Sequence, residues 1–202
     1  MIHLPPEPDS VSLLPAGANP WPVSVYDVRP YTQHVFSTTF DPRFAENALS
    51  LQGADGRDFV GHAPASARIT ACGLVYPLTA PLADGALFTP YAMEQKWALF
   101  LRAGRLIVVR SWLLEVFVLV DATVGENELT LTAIHGVFLN EDETPEFTVG
   151  TLDFILRTHW MDEPYPAPLP PEYRDDPEMA AKWCFRVHGW FARFASYEPF
   201  SG

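Results

Sequence analysis

With 202 residues, 48% hydrophobic and 13% aromatic, the chain can bury roughly 70% of the surface its unfolded form exposes, which excludes disorder for its body. Thirteen basic against twenty-five acidic residues give a net charge of -12, which argues against nucleic acid and anionic membrane surfaces and favours a cationic protein partner or a small ligand. No apolar run reaches the roughly 18 residues of a membrane span. The start, MIHLPPEPDS, lacks the apolar core of a secretory leader, and Cys72 and Cys184 form no C-x-x-C pair, so a cytoplasmic location is expected.

Residues 1–22 are Pro-rich and read as an extended arm, ordered only where Leu13, Leu14 or Trp21 find something to pack on. A single domain is expected over 23–202, with regular structure starting near Val23. Val23 to Val28 and Tyr31 to Phe40 are rich in β-branched and aromatic residues and read as two strands broken at Pro30. Asp41-Pro42 then opens a short helix to about Leu49. The following segment, QGADGRDFVGHAPAS, is loop-like. Its G-x-x-G-x-x-x-x-G spacing matches neither a dinucleotide fingerprint nor a P-loop.

Ala67 to Tyr76 is a strand, and Pro77 to Pro90 is expected to run irregularly. Gln95 to Arg102, Arg105 to Leu114, Glu115 to Val120 and Glu128 to Val137 alternate as an antiparallel meander, with turns at Ala103-Gly104 and Gly125-Glu126-Asn127. Thr144-Pro145-Glu146 starts a helix to about Trp160. EPYPAPLPPEYRD is a connector of polyproline character. Asp176-Pro177-Glu178 opens the last helix, whose apolar face is Trp183, Val187, Trp190, Phe191 and Phe194. The order implies an α+β fold, an antiparallel meander with C-terminal helices packed on one face.

The segment with the most chemistry is Met93 to Trp112, MEQKWALFLRAGRLIVVRSW. A two-residue turn at Ala103-Gly104 needs Ala103 at positive φ, which costs about 1 kcal/mol. A three-residue loop with Gly104 as a bulge avoids this and is the expected register. It sets Lys96 opposite Arg110 and Glu94 opposite Trp112, two cations beside one carboxylate and an indole. Such an end suits a phosphate or carboxylate, and also an internal ion-pair network. The two-residue register instead sets Trp97 opposite Arg110 and is expected to scatter the cluster.

The spacing of Met93, Glu94, Lys96 and Trp97, then Arg110, Ser111 and Trp112, resembles a hairpin pattern of uncharacterised bacterial proteins of unknown function. It covers about a tenth of the chain, and Leu113-Leu114 stand where the pattern has Thr-Gly. The resemblance implies no activity.

Elsewhere, Cys184 and His188 share a helix face at the spacing of a thiolate–imidazole pair, although a buried structural role is the commoner one. Asp55, Asp58, His62 and Ser66 fall in the glycine loop, where turn chemistry accounts for them. His34, His135 and His159 lack zinc spacing, and Pro170-Pro171-Glu172-Tyr173 has the form of a P-P-x-Y ligand inside a connector. The expectation is a non-catalytic protein acting through binding or protein interaction, with no cofactor or metal. Its rival is a small-anion or nucleotide-binding protein, a phosphoester hydrolase included, that uses Glu94, Lys96, Arg110 and Trp112.

Overall fold

A computed structural model of the chain describes residues 4–197, so the first three residues of the arm lie outside the described residues. In chain order the elements are β1 (Ser12–Leu14), β2 (Val25–Asp27), α1 (Arg29–Thr32), α2 (Arg43–Ser50), β3 (Ile69–Pro77), β4 (Gly85–Phe88), β5 (Trp97–Arg102) and β6 (Arg105–Arg110). There follow β7 (Glu115–Val124), β8 (Glu128–Gly136), α3 (Pro145–Ile155), β9 (Pro166–Pro168), α4 (Pro177–His188) and β10 (Phe194–Ser196). The architecture is α+β. A six-stranded antiparallel sheet has the order β3-β8-β7-β6-β5-β4, and a four-stranded sheet has the order β1-β2-β10-β9.

The chain divides into two compact units, residues 39–149 and residues 1–38 with 150–202. In the first, β5 to β8 form the meander that the alternation predicts, β4 extends it beyond β5, and β3 adds to its far side as an edge strand paired with β8. One face of the sheet places Ala98, Phe100, Ile107, Val109 and Val116 against Leu51 and Phe59. Gly56 has φ 84, and a Cβ there would meet Phe100 at 2.5 Å, so only glycine lets this loop close on the sheet. After β8, the buried Glu143 carboxylate accepts the Phe138 and Leu139 N–H groups and the Thr148 hydroxyl, which ties the acidic loop to the start of α3.

In the second unit, Trp21, Val23, Val25 and Phe194 form an apolar cluster with Leu4 and Leu14 packed on it. α4 is capped by the Asp176 carboxylate, which accepts the Met179 N–H, and it packs on α1 and β10.

Several local expectations are corrected. The Pro-rich arm contributes β1, so regular structure starts before Val23. Tyr31 to Phe40 is not a strand, because Pro30 sits in the first turn of α1, where its missing N–H is harmless. Thr32 locks that turn, its hydroxyl donating to Val28 O and Ala192 O. The stretch 77–90 contains β4, which pairs with β5. The connector contains β9, parallel to β10, and its two prolines are tolerated because β9 is an edge strand. The last helix stops at His188, where Gly189 at φ 65 turns the chain so that Phe194 starts β10 instead of extending the helical stripe.

Candidate functional site

The turn of the β5–β6 hairpin decides its register. Arg102 pairs with Arg105 and Trp97 with Arg110, so the loop is two residues long, and the expected bulge is absent. Ala103 at φ 49 and Gly104 at φ 74 carry the left-handed backbone of a type I′ turn, whose twist matches the strands. Two bonds hold Ala103 in its unfavourable region. Its N–H donates to the Asp84 carboxylate at 3.0 Å, and Gly104 O accepts the Ala122 N–H at 3.0 Å.

Arg110 therefore lies over the Trp97 ring, 4.7 Å from its centroid, as this register requires. Trp97 is fixed in turn by edge-on contacts with Phe117 and Phe138. The expected scattering of the cluster does not follow. The chain leaves β6 at Arg110 in a turn, with the Leu113 and Leu114 N–H groups both donating to Arg110 O. That turn swings Trp112 back over Lys96, whose Nζ is 3.9 Å from the indole centroid.

Lys96 Nζ and Trp112 Nε1 donate to one acceptor, Met93 O, at 2.8 and 2.6 Å. Ser111 completes the seam, its N–H donating to Lys96 O and its hydroxyl to Gln95 O. From α2, Phe44 stacks on Trp112 and Asn47 donates to Trp112 O. Phe44 and Asn47 were invisible as site residues in the sequence, and so was the role of the Met93 carbonyl as the shared acceptor. The three- and four-residue spacing of Phe44, Asn47, Ala48 and Leu51 marks a packing face, but nothing in it names Trp112 as the target.

Glu94 and Lys96 are buried, and Arg110 and Trp112 are half-buried. Burial first, and then neighbouring Arg110, push the Lys96 amine down to about 7, with Glu94 opposing both. Near pH 7 the amine is thus divided between charged and neutral forms, which makes it the most perturbed lysine chemistry a ligand here would meet.

The other candidates pack differently. His188 lies against Phe154 and Trp183, and burial pushes the Cys184 thiol up, so neither is set for nucleophilic chemistry. His159 stacks on Phe191, and burial pushes it down to about 3, which keeps the ring neutral. Asp55 pairs with Arg102 and Arg57, Ser66 accepts the Arg68 N–H, and His135 meets Asp121 at 3.2 Å. His34 reaches Glu7, while Asp58 and His62 are exposed. Pro171 to Tyr173 form a 3-10 turn with Tyr173 near Trp183. Among the described residues, no His, Cys, Asp and Glu group is arranged to hold a metal ion. The chain matches no protein-family model, and no curated protein or solved structure matches it.

Proposed function

We propose that the protein acts by binding a protein partner, without a chemical step of its own, through the surface formed by α2 and the open end of the β5–β6 hairpin. The observation that carries this reading is the occupancy of the polar end by its own side chains, with apolar groups outside it. Lys96 is engaged by Met93 O and Trp112, and Arg110 by Trp97. Around them Leu49, Tyr91 and Leu113 are exposed, as is Phe40 ahead of α2. Gln52 ties Tyr91 to the end of α2, and Leu113 follows Trp112 directly. Exposed apolar side chains on the elements that border this end favour association. The exposed acids Glu46 and Glu115, with the net charge of -12, select a partner that presents basic side chains around an apolar centre.

The test is affinity capture from the native host, comparing the wild type with Leu49→Glu/Leu113→Glu. The reading expects a partner retained by the wild type, released by raised salt and lost with the double variant, whose circular dichroism is unchanged. Identical retention by both proteins would refute it.

A second reading, a small-anion or nucleotide site, is favoured by one observation: Lys96 has both a second cation, Arg110, and one carboxylate, Glu94, close enough to act on its amine. A bound phosphate would raise the Lys96 pKa and stabilise the fold, by about 2.7 kcal/mol at a hundredfold its dissociation constant. A thermal-shift panel of nucleotides and sugar phosphates tests it, with Arg110→Ala as the control. No shift with any anion would remove this reading.

A further inference from the structure

The two edges of the six-stranded sheet are not alike. β4 has four residues and breaks register between Ala86 and Phe88, a blunted edge of the kind that resists pairing. β3 has nine residues, Ile-Thr-Ala-Cys-Gly-Leu-Val-Tyr-Pro, and no charge among them. At nine uncharged residues, in a chain of net charge -12, β3 lacks the shortness and the charges that usually guard a sheet edge, and its guards against strand addition are the register shift between Ala71 and Leu74 and the terminal Pro77.

The direction of its backbone groups can be read from its ends. Gly136 N donates to Arg68 O before the strand, and Leu78 N donates to Asn127 O after it. Alternation then turns the even-numbered residues toward β8 and the odd-numbered ones, Ile69, Ala71, Gly73 and Val75, outward. Pro77 is also outward, the position where a strand proline loses nothing. The pairing with β8 shifts between Ala71 and Leu74, but Arg68 and Leu78 face β8 on either side of that shift and the burial alternation keeps its parity across it, so the odd-numbered residues stay on the outward side before and after it. The same residues carry exposed side chains, with Ile69 64% and Val75 54% exposed.

We propose that β3 is a self-association edge, through which two copies of the chain pair antiparallel about a two-fold axis at Cys72 and join their six-stranded sheets. The register follows from the side chains that it sets opposite each other. Pairing Ile69 with Val75 and Ala71 with Gly73 of the partner uses every outward N–H and gives about eight backbone hydrogen bonds. The next register, with Ile69 opposite Pro77 and Gly73 on the axis, also forms about eight bonds, since the two it adds offset the two that the Pro77 pair cannot donate, but it replaces the Ile69–Val75 contact by Ile69 against a residue with no N–H to return. A second copy fits better than a foreign strand because the edge is complementary to itself. Ile69 meets Val75 on the exposed face, and no like charges come opposite each other. At the axis Cys72 faces its own copy in a non-hydrogen-bonded pair, where Cα atoms about 4.5 Å apart admit a disulfide.

Cys72 is half-buried and Cys184 buried, so oxidation reads this register directly. Sedimentation equilibrium of the full chain, over about 1–100 µM, is expected to show a species of twice the 22.6 kDa chain mass. Diamide at mildly alkaline pH takes two electrons and two protons from the two Cys72 thiols, becoming the hydrazine, and leaves a bridged dimer on a non-reducing gel. Cys184→Ser should keep that band, and Cys72→Ser should lose it while still dimerising. Val75→Lys and, independently, Ile69→Lys should weaken dimerisation at least about tenfold with unchanged circular dichroism. A chain that stays monomeric at the highest concentration overturns the proposal. So does a dimer indifferent to both lysine variants, or one that gives no Cys72 bridge.

Discussion

Lys96 offers a direct test of the physical account of the hairpin's open end. Its amine is drawn down from 10.5 to about 7 by burial and by Arg110. In the unfolded chain it returns to about 10.4. Between these values the unfolded state binds the extra proton, so stability rises with pH. Below about pH 7 the lysine is charged in both states and its burial penalty is present in full. Above the unfolded value it is neutral in both, and the penalty is gone. Integrating the linkage from pH 7 to pH 9 gives a gain of about 2 kcal/mol, or some 4–8 °C in Tm for a chain of this size. Urea unfolding of the wild type and Lys96→Met at both pH values isolates the effect, because other groups contribute to the two proteins equally. The wild-type gain should exceed that of Lys96→Met by about 2 kcal/mol. The chain has only two lysines, Lys96 and Lys182, so lysine labelled with 13C at Cε gives two resonances, and the one absent from Lys96→Met should titrate near pH 7. Parallel pH profiles for the two proteins, together with a Lys96 resonance titrating above pH 9, would refute the reasoning.

Three further outcomes test the rest of the fold. Ala103→Asn should stabilise by about 0.5–1 kcal/mol in urea unfolding, since Asn-Gly is the natural pair for a type I′ turn and tolerates the left-handed backbone that Ala103 holds at φ 49. Gly136→Ala should destabilise by more than about 2 kcal/mol, because at φ +106 its Cβ would stand 2.3 Å from Phe117 O, a backbone atom that cannot step aside. Glu143→Gln should lose about 2–3 kcal/mol by thermal or urea unfolding, since the amide turns a donor toward groups that now donate to the carboxylate, the Phe138 and Leu139 N–H groups and the Thr148 hydroxyl.

The meander and the main helices were legible because their signals are local. Period-two alternation in 105–136 and the Pro-led helix starts at Pro145 and Pro177 each follow from residues near one another in sequence. β4, β9 and β10 were not legible, since strands of three or four residues carry no periodicity and exist only by pairing with a neighbour. For the same reason α1 was misread as a strand. The β propensity of Tyr31 and Thr32 is outweighed by the bond that Thr32 makes to Ala192, 160 positions along the chain.

The candidate site divides in the same way. The expectation that Glu94, Lys96, Arg110 and Trp112 gather at one hairpin end rested on a bulge that is absent, and Lys96 and Trp112 meet instead through the turn that follows Arg110. Local strain argued for a bulge at Gly104. The bonds from Ala103 to Asp84 and from Ala122 to Gly104 hold the tighter turn instead, and they come from other parts of the unit. The sequence by itself determined the charge, the α+β class and the strands and helices long enough to show a period. Tertiary structure alone decided the register, the seating of Lys96 under Trp112 and the identity of the edge strands, because strain and pairing are settled by groups that only folding brings within reach.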